Sequence, residues 1–415
     1  MDNTEMANPA SKSHLAAEAD RRRSIGFLNW AHAVDHYVLL IFPTVVLSLE
    51  AFYQRPYADL IALSTPCFIA FGIFSLPAGW LADRWSRRNM MVVFYAGCGL
   101  SLVAAALAPN LVALAVALFM LGVSAAIYHP VGMAMLIEAS QARGRTLAFN
   151  GVCGNLGAAL AAGITAVLAS WLGWRGAFLV PAALCLATAV IYFWAIPDDR
   201  HQTAQRESTP GVRLAPQVAV ALFGLFIIIA MTAGLIFNAV TVALPKIVEE
   251  RLAQDVPLIA VGGLATAVFM CGALAQLAVG RLVEWIAPHI LLAIIVAIGL
   301  VGILWAANAS GAWLLIALAL VMVSIYGQVT VNDMVIARYS ADAWRGRVYA
   351  VRYFLLFISA GAAVWMISRF HQQGGFDLVL LATAAVTFVF LAAAIGVAVL
   401  VSLARPQNMA AQPAE

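Results

Sequence analysis

The sequence predicts an all-α membrane protein of twelve transmembrane helices in two pseudo-symmetric six-helix bundles, with both termini cytoplasmic. Three observations lead there: an apolar composition, twelve apolar runs of spanning length, and an internal repeat. Of 415 residues, 64% are hydrophobic and only 10% charged, where a soluble domain carries roughly 25% charged residues. No core of this length hides so much apolar surface from water, so lipid must be the solvent for much of it. The net charge of +3, with basic residues dispersed along the chain, argues against nucleic acid as a partner. Cys67, Cys98, Cys153, Cys185 and Cys271 fall inside apolar runs without metal-ligand spacing and are read as small packing residues.

A spanning helix needs about 20 mostly apolar residues. Such runs lie near 25–48, 58–82, 89–108, 111–136, 147–171 and 177–196, then near 217–244, 258–281, 287–307, 312–336, 348–369 and 376–403. The organisation expected is a cytoplasmic polar tail (1–24), a six-helix bundle (25–197), a cytoplasmic linker (198–216), a second bundle (217–403) and a cytoplasmic tail (404–415). The first run is too long for a signal-peptide core and has no small-residue cleavage site, so it stays as a span. With both ends inside, Lys12, Arg21–Arg23, Arg84, Arg87, Arg88, Arg143, Arg145, Arg200, Arg206, Arg213, Arg281, Arg338, Arg345, Arg347 and Arg405 all lie on the cytoplasmic side. Only Arg55, Arg175, Lys246, Arg251 and Arg369 fall opposite, and Arg352 lies within a span. That is a strong positive-inside bias.

The halves resemble each other at an offset of about 200 residues. Glu50 ends the first span as Glu249 ends the seventh. GWLAD (79–83) matches GRLVE (280–284), Tyr128 matches Tyr326, and Arg143-Gly144-Arg145 matches Arg345-Gly346-Arg347. Parallel repeats of this kind suit a machine that rocks about a central site.

GWLADRWSRR (79–88), between spans two and three, resembles the signature of the major facilitator superfamily: a glycine, an aspartate four residues on, then a basic cluster. Ser86 stands where that family usually has a second glycine. Within the superfamily, AHAVDH (31–36), IYHPVG (127–132) and CGNLGAALAAG (153–163) are similar to the fosmidomycin-resistance-like exporters. The resemblance implies the major facilitator fold and a conformational latch of Gly79, Asp83, Arg84, Arg87, Arg88, Glu138 and Arg347. Asp83 would cap the cytoplasmic end of span eleven beside Arg347, where an anion near a helix N-terminus gains about 0.3–1 kcal/mol. One of Arg84, Arg87 and Arg88 would reach Glu138. The alternative is a plain positive-inside anchor.

His32, Asp35, His36, His129, Asp333 and Arg352 lie within spans. A charge at the centre of a span costs about 2.5–3.5 kcal/mol and ordinarily faces a cavity or a partner. Asn29, His32, Asp35 and His36 share one helix face. At about 1.5 Å per residue, Asp35 comes near mid-membrane and His129 at the depth of His32. A carboxylate among imidazoles can exchange a proton near neutral pH, so Asp35, His32, His36 and His129 are candidate proton-coupling residues. A structural pair, Asp35 with His36 or His129, is the plain alternative. A divalent ion on His32 and His36 is a third reading, weakened because only His129 offers a further ligand nearby; no metal is assigned. At the repeat positions Met231, Gly234 and Leu235 replace His32, Asp35 and His36, so proton handling should sit in the first half.

In the second half Arg352 either neutralises Asp333 as a buried ion pair or binds an anionic substrate, since guanidinium suits phosphate, phosphonate or carboxylate. Asn29, Tyr128, His129, Asn238, Tyr326, Asn332 and Arg352 are the candidate substrate-binding residues; for Asn238 and Asn332 an ordinary helix–helix contact is an equal reading. Pro43, Pro66, Pro77, Pro130 and Pro181 are expected to bend their spans. Gly151, Gly154 and Gly157 are expected to permit close helix packing.

Neither lysine, Lys12 or Lys246, follows a glycine-rich phosphate loop, which excludes an ATP-driven pump of the P-loop kind. GxSxG and HExxH do not occur, so the chain is not read as an enzyme. The function expected is secondary active transport of a small organic molecule by alternating access, as proton-coupled export of a drug or anionic metabolite. Alternatives are a proton-coupled importer or facilitator of an organic anion and, from another class, a metal-binding membrane enzyme or sensor. The partners are then lipid bilayer, substrate and protons, with no cofactor. The chain is expected to act as a monomer in a bacterial inner membrane.

Overall fold

The structure, a computed structural model, describes residues 9–140, 143–198, 216–252, 256–339 and 342–409. Among these, every regular element is helical. The order is α1 (Pro9–Tyr53), α2 (Tyr57–Ile61), a 3₁₀ turn (Ala62–Ser64), α3 (Thr65–Arg84), α4 (Arg87–Ala106), α5 (Leu111–Ala125), a π-helical turn (Tyr128–Gly132) and α6 (Met133–Ala139). Then follow α7 (Arg143–Ala195), α8 (Pro216–Leu252), α9 (Leu258–Leu282), α10 (Pro288–Asn308), α11 (Gly311–Tyr339) and α12 (Asp342–Met409). The linker expected at 198–216 lies almost wholly outside the described residues. The expected polar tail is helical from Pro9, continuous with the first span.

Among the described residues, ten helical stretches are long and apolar enough to cross a membrane. Two of them, Arg145–Ala195 with 51 residues and Val351–Leu403 with 53, exceed twice the roughly 20 residues a crossing needs. Each breaks at glycine. Gly173 has φ 73° inside α7, and Gly375 has φ 59° beside Gly374 inside α12. Other residues meet a steric penalty in that left-handed region.

Local chemistry sets several helix ends. Asn110 caps α5, its side chain accepting from the Ala113 N–H at 2.9 Å. Ser86 caps α4 by accepting from the Asn89 N–H at 3.1 Å, which accounts for a serine where the resembled family has glycine. Pro43, Pro77 and Pro181 lie within helices, as expected. Pro66 sits in the first turn of α3, directly after the 3₁₀ turn that interrupts the Tyr57–Arg84 stretch, where a missing N–H leaves no bond unmade. Pro130 falls in the π-helical turn, which lets the chain skip the bond that proline cannot donate.

Close approaches rest on small residues. Gly157 of α7 packs directly on the Ala33 backbone of α1. Gly72 of α3 faces α12 so closely that a Cβ would lie 2.8 Å from the Ile358 amide nitrogen. The two halves meet along two seams, α3 on α12 and α7 on α9, the latter crossed by a bond from the Gly163 N–H to Thr266 Oγ1 at 3.0 Å. Large apolar side chains such as Leu100, Val112, Trp194, Val220 and Leu403 stand exposed along the helices, an arrangement that lipid tolerates and water penalises.

Candidate functional site

The predicted face of α1 meets the π-helical turn. Asp35 is fully buried, at 0% exposure, and its Oδ2 lies 3.3 Å from His129 Nε2. Of the two partners expected for Asp35, His129 is the one in place. The rings of His32 and His129 are 5.4 Å apart and those of His32 and His36 5.0 Å, so all three imidazoles cluster. Each offers a nitrogen within 4.8 Å of the others, near enough to converge on one small cation. The π turn explains the placement, because an extra residue per turn rotates His129 toward α1 while Pro130 follows it.

His129 also reaches the other half of the chain. Its ring stands 4.9 Å from Phe357 of α12 and 6.0 Å from Phe71 of α3, and these two phenylalanines are 4.8 Å apart. The buried carboxylate therefore connects to the seam between the halves through a single imidazole.

Sequence reasoning missed Asn150 of α7, which is fully buried at 0% exposure and ties this cluster together. Its Nδ2 donates to Asn29 Oδ1 at 3.0 Å and to the Leu28 carbonyl at 3.3 Å. Its Oδ1 accepts from Tyr128 Oη at 3.1 Å and faces His32 Nδ1 at 2.8 Å. The only signal available was an amide in an apolar span, one of two there with Asn155.

The second half contributes differently. Arg352, buried, forms an ion pair with half-exposed Asp333. Asn332 donates to Gln328 within α11, and Asn238 donates to the Gly234 carbonyl of its own helix at 2.7 Å. Tyr326 is buried against Phe237, with ring centroids 5.9 Å apart, and its hydroxyl meets no protein partner. Gln276 of α9 bridges the halves, accepting from Asn155 and donating to Thr330 Oγ1 at 3.0 Å.

At the end of the molecule bearing the GWLADRWSRR stretch, Arg87 pairs with Glu138 and, at 2.9 Å, with Asp83. Arg84 lies over the Trp80 ring at 4.2 Å. Arg88 is buried and donates to the Ile196 carbonyl at 3.0 Å and to that of Phe193, so it fastens the start of α4 to the end of α7. Gly79 gives α3 room against Pro130, 3.2 Å from where its Cβ would be. The side chain of Arg347 lies outside the described residues.

The opposite end carries a second cluster that the sequence did not announce. Lys246 of α8 bonds Glu50 of α1, across the halves, and Glu249 at 2.6 Å within its own helix. His371 Nε2 is 3.1 Å from Glu250, and Gln372 donates to Asp59 at 2.8 Å, again across the halves. Glu50 and Glu249 are the residues that the repeat aligns. Pseudo-equivalent positions meet at a pseudo-two-fold axis, and one lysine serves both.

An all-helical chain with ten stretches of spanning character and ionisable groups buried beside the seam between its halves has the form of a polytopic membrane transporter. The sequence model of the Major Facilitator Superfamily matches residues 38–364, and the chain belongs to that superfamily. Among curated proteins, a gallate transporter of Pseudomonas putida is 26% identical over 212 residues, 48% of this chain and 46% of that protein. A multidrug resistance protein B homolog of Mycobacterium tuberculosis is 31% identical over 209 residues, 49% of this chain and 38% of that protein. The chain thus spans less than half the length of either relative. A bacterial homolog of the human lysosomal transporter Spinster, solved inward-facing and unoccupied, superposes with a TM-score of 0.71 at 14% identity, covering 92% of this chain and 95% of that one. That likeness concerns the fold.

Proposed function

We propose that this chain is a secondary active transporter that exports a small amphipathic or anionic molecule by alternating access, driven by proton entry. The 51- and 53-residue stretches are each read as two crossings hinged at Gly173 and at Gly374–Gly375, which makes twelve in bundles 25–197 and 217–403. The arginine distribution supports cytoplasmic termini in a bacterial inner membrane, and the bacterial relatives agree with that setting. On this orientation the Lys246 cluster closes the outer face. Exposed Asp83 and half-exposed Asp333 mark the inner face, which would make this the inward-facing state. The branch resemblance carried by IYHPVG and CGNLGAALAAG favours export.

The observation that carries the reading is the Asp35–His129 contact beside Phe357. While Asp35 is ionised, His129 is held beside it by charge, since neither carboxylate oxygen has a hydrogen-bond partner among the described residues. Once Asp35 takes a proton that attraction weakens, and His129 is released to change its packing on α12. Proton occupancy on one half is thereby coupled to the fit between halves. Because Asp35 is fully enclosed, protons reach it through partly exposed His129 and His36. Substrate would sit between the halves, with Asn29, Tyr128, His129, Asn238, Tyr326, Asn332 and Arg352 as the candidate contacts.

The test is transport in proteoliposomes under an imposed pH gradient, screened over antibiotics, phosphonates and organic acids. Substrate moving out of the compartment into which protons flow supports export, and co-accumulation overturns it. Co-accumulation would favour the second reading, an organic-anion importer, which the gallate transporter relative and the Arg352 guanidinium support. Stoichiometric bound metal in purified protein would instead favour a metal-dependent sensor or enzyme.

A further inference from the structure

We infer that His32 is held in its Nδ1–H form by Asn150, which leaves Nε2, packed against Gly154, as the ring's lone-pair nitrogen. The assignment of the tautomer follows from geometry and is independent of transport; its use in coupling rests on the function proposed above.

His32 Nδ1 lies 2.8 Å from the Asn150 backbone carbonyl oxygen and 2.8 Å from Asn150 Oδ1. A carbonyl oxygen only accepts, so the nitrogen facing it must carry the hydrogen. The amide cannot be turned to present its nitrogen instead. Nδ2 is committed to the Leu28 carbonyl at 3.3 Å, and Oδ1 receives the Tyr128 hydroxyl at 3.1 Å. Two acceptors from one residue thus fix one tautomer, and in neutral imidazole the other nitrogen then bears the lone pair.

That other nitrogen lies over a glycine. A Cβ on Gly154 would fall 2.5 Å from His32 Nε2, 2.6 Å from Cδ2 and 2.7 Å from Cε1. Any side chain there would collide with the ring and push it out of the position that Asn150, one helical turn earlier, fixes. Among the described residues nothing hydrogen-bonds Nε2. Tyr128 stacks on the ring at 4.9 Å, and His36 and His129 stand 5.0 and 5.4 Å away, with Asp35 one turn further along α1. His32 is therefore an oriented acceptor beside the Asp35–His129 pair, and Asn150 and Gly154 are its positioning residues.

The first measurement is nitrogen NMR of histidine-labelled full-length protein, with two-bond correlations from ring nitrogens to ring carbon-bound protons and His32→Gln used for assignment. The expected signature of neutral His32 is a protonated Nδ1 and an unprotonated Nε2, retained in Asn150→Asp, which preserves the acceptor oxygen. A protonated Nε2 with a bare Nδ1 overturns the inference. The second measurement compares gradient-driven uptake with substrate exchange in Gly154→Ala, using Gly157→Ala as a packing control. The ratio of driven uptake to exchange should fall about tenfold in Gly154→Ala, since 1.4 kcal/mol of lost acceptor function is a factor of ten, and should hold in Gly157→Ala. Equal loss of both activities in Gly154→Ala would make that glycine a packing residue only and overturn its assigned role. If wild-type protein shows no driven transport at all, the proposed function fails, while the tautomer still stands or falls by the spectrum.

Discussion

Replacing Lys246 with methionine removes the ammonium group that joins the halves at the Glu50 end of the molecule. Lys246 is 9% exposed, and Glu50 and Glu249 are 25% and 32% exposed. Breaking a fully buried ion pair costs about 3–5 kcal/mol, and an exposed one about 0–1 kcal/mol. Intermediate burial places this one at roughly 1.5–3 kcal/mol by interpolation between those limits. The Glu249 contact lies within α8 and survives separation, so the loss falls on the Glu50 bond and on the carboxylates left facing each other. At about 1.4 kcal/mol per factor of ten, the closed population should fall roughly 10- to 100-fold relative to the open one. Spin labels on Arg55 and Gln373, both exposed, would report it by double electron–electron resonance in reconstituted protein. A longer distance component should appear in Lys246→Met and in Glu50→Gln, and the double variant should exceed neither single one by much, as for partners of one bond. An unchanged distribution in Lys246→Met would refute the clamp.

Three other outcomes follow from the packing. Gly157→Ala places a methyl group into the Ala33 backbone and should destabilise the protein by about 1–3 kcal/mol, read as a lower melting temperature in detergent. Arg352→Ala leaves Asp333 without its ion-pair partner; with Asp333 half-exposed the loss should be about 1–3 kcal/mol, and Arg352→Ala with Asp333→Ala should recover part of it. Loss of transport for anionic substrates alone, with stability unchanged, would instead assign Arg352 to binding. Gly375→Ala forces a side chain into φ 59°, ψ −158°, a region essentially kept for glycine, at about 1–3 kcal/mol, and should lower melting temperature without altering substrate preference.

Much of the site was legible because few explanations exist for a charge inside lipid. The i, i+3, i+4 spacing of Asn29, His32, Asp35 and His36 could only form one face, and depth counting brought His129 to it. The π turn that aims His129 left no mark beyond Pro130, since its bonds are satisfied by backbone geometry rather than by a particular side chain. Asn150 escaped notice because it and Asn155, five residues apart, do not mark one helix face. The Glu50–Lys246 clamp was half visible: the repeat aligned Glu50 with Glu249, but contact across a pseudo-axis depends on packing distance.

The central claim is that protonation of one enclosed carboxyl governs how the halves fit, and Asp35→Asn tests it most directly. Purified variant and wild type, reconstituted side by side, would be assayed for uptake driven by a pH gradient and for substrate exchange without one. The account predicts that the variant exchanges substrate yet loses gradient-driven accumulation by at least about tenfold, the effect of roughly 1.4 kcal/mol of lost coupling. Accumulation at the wild-type level in Asp35→Asn would contradict it.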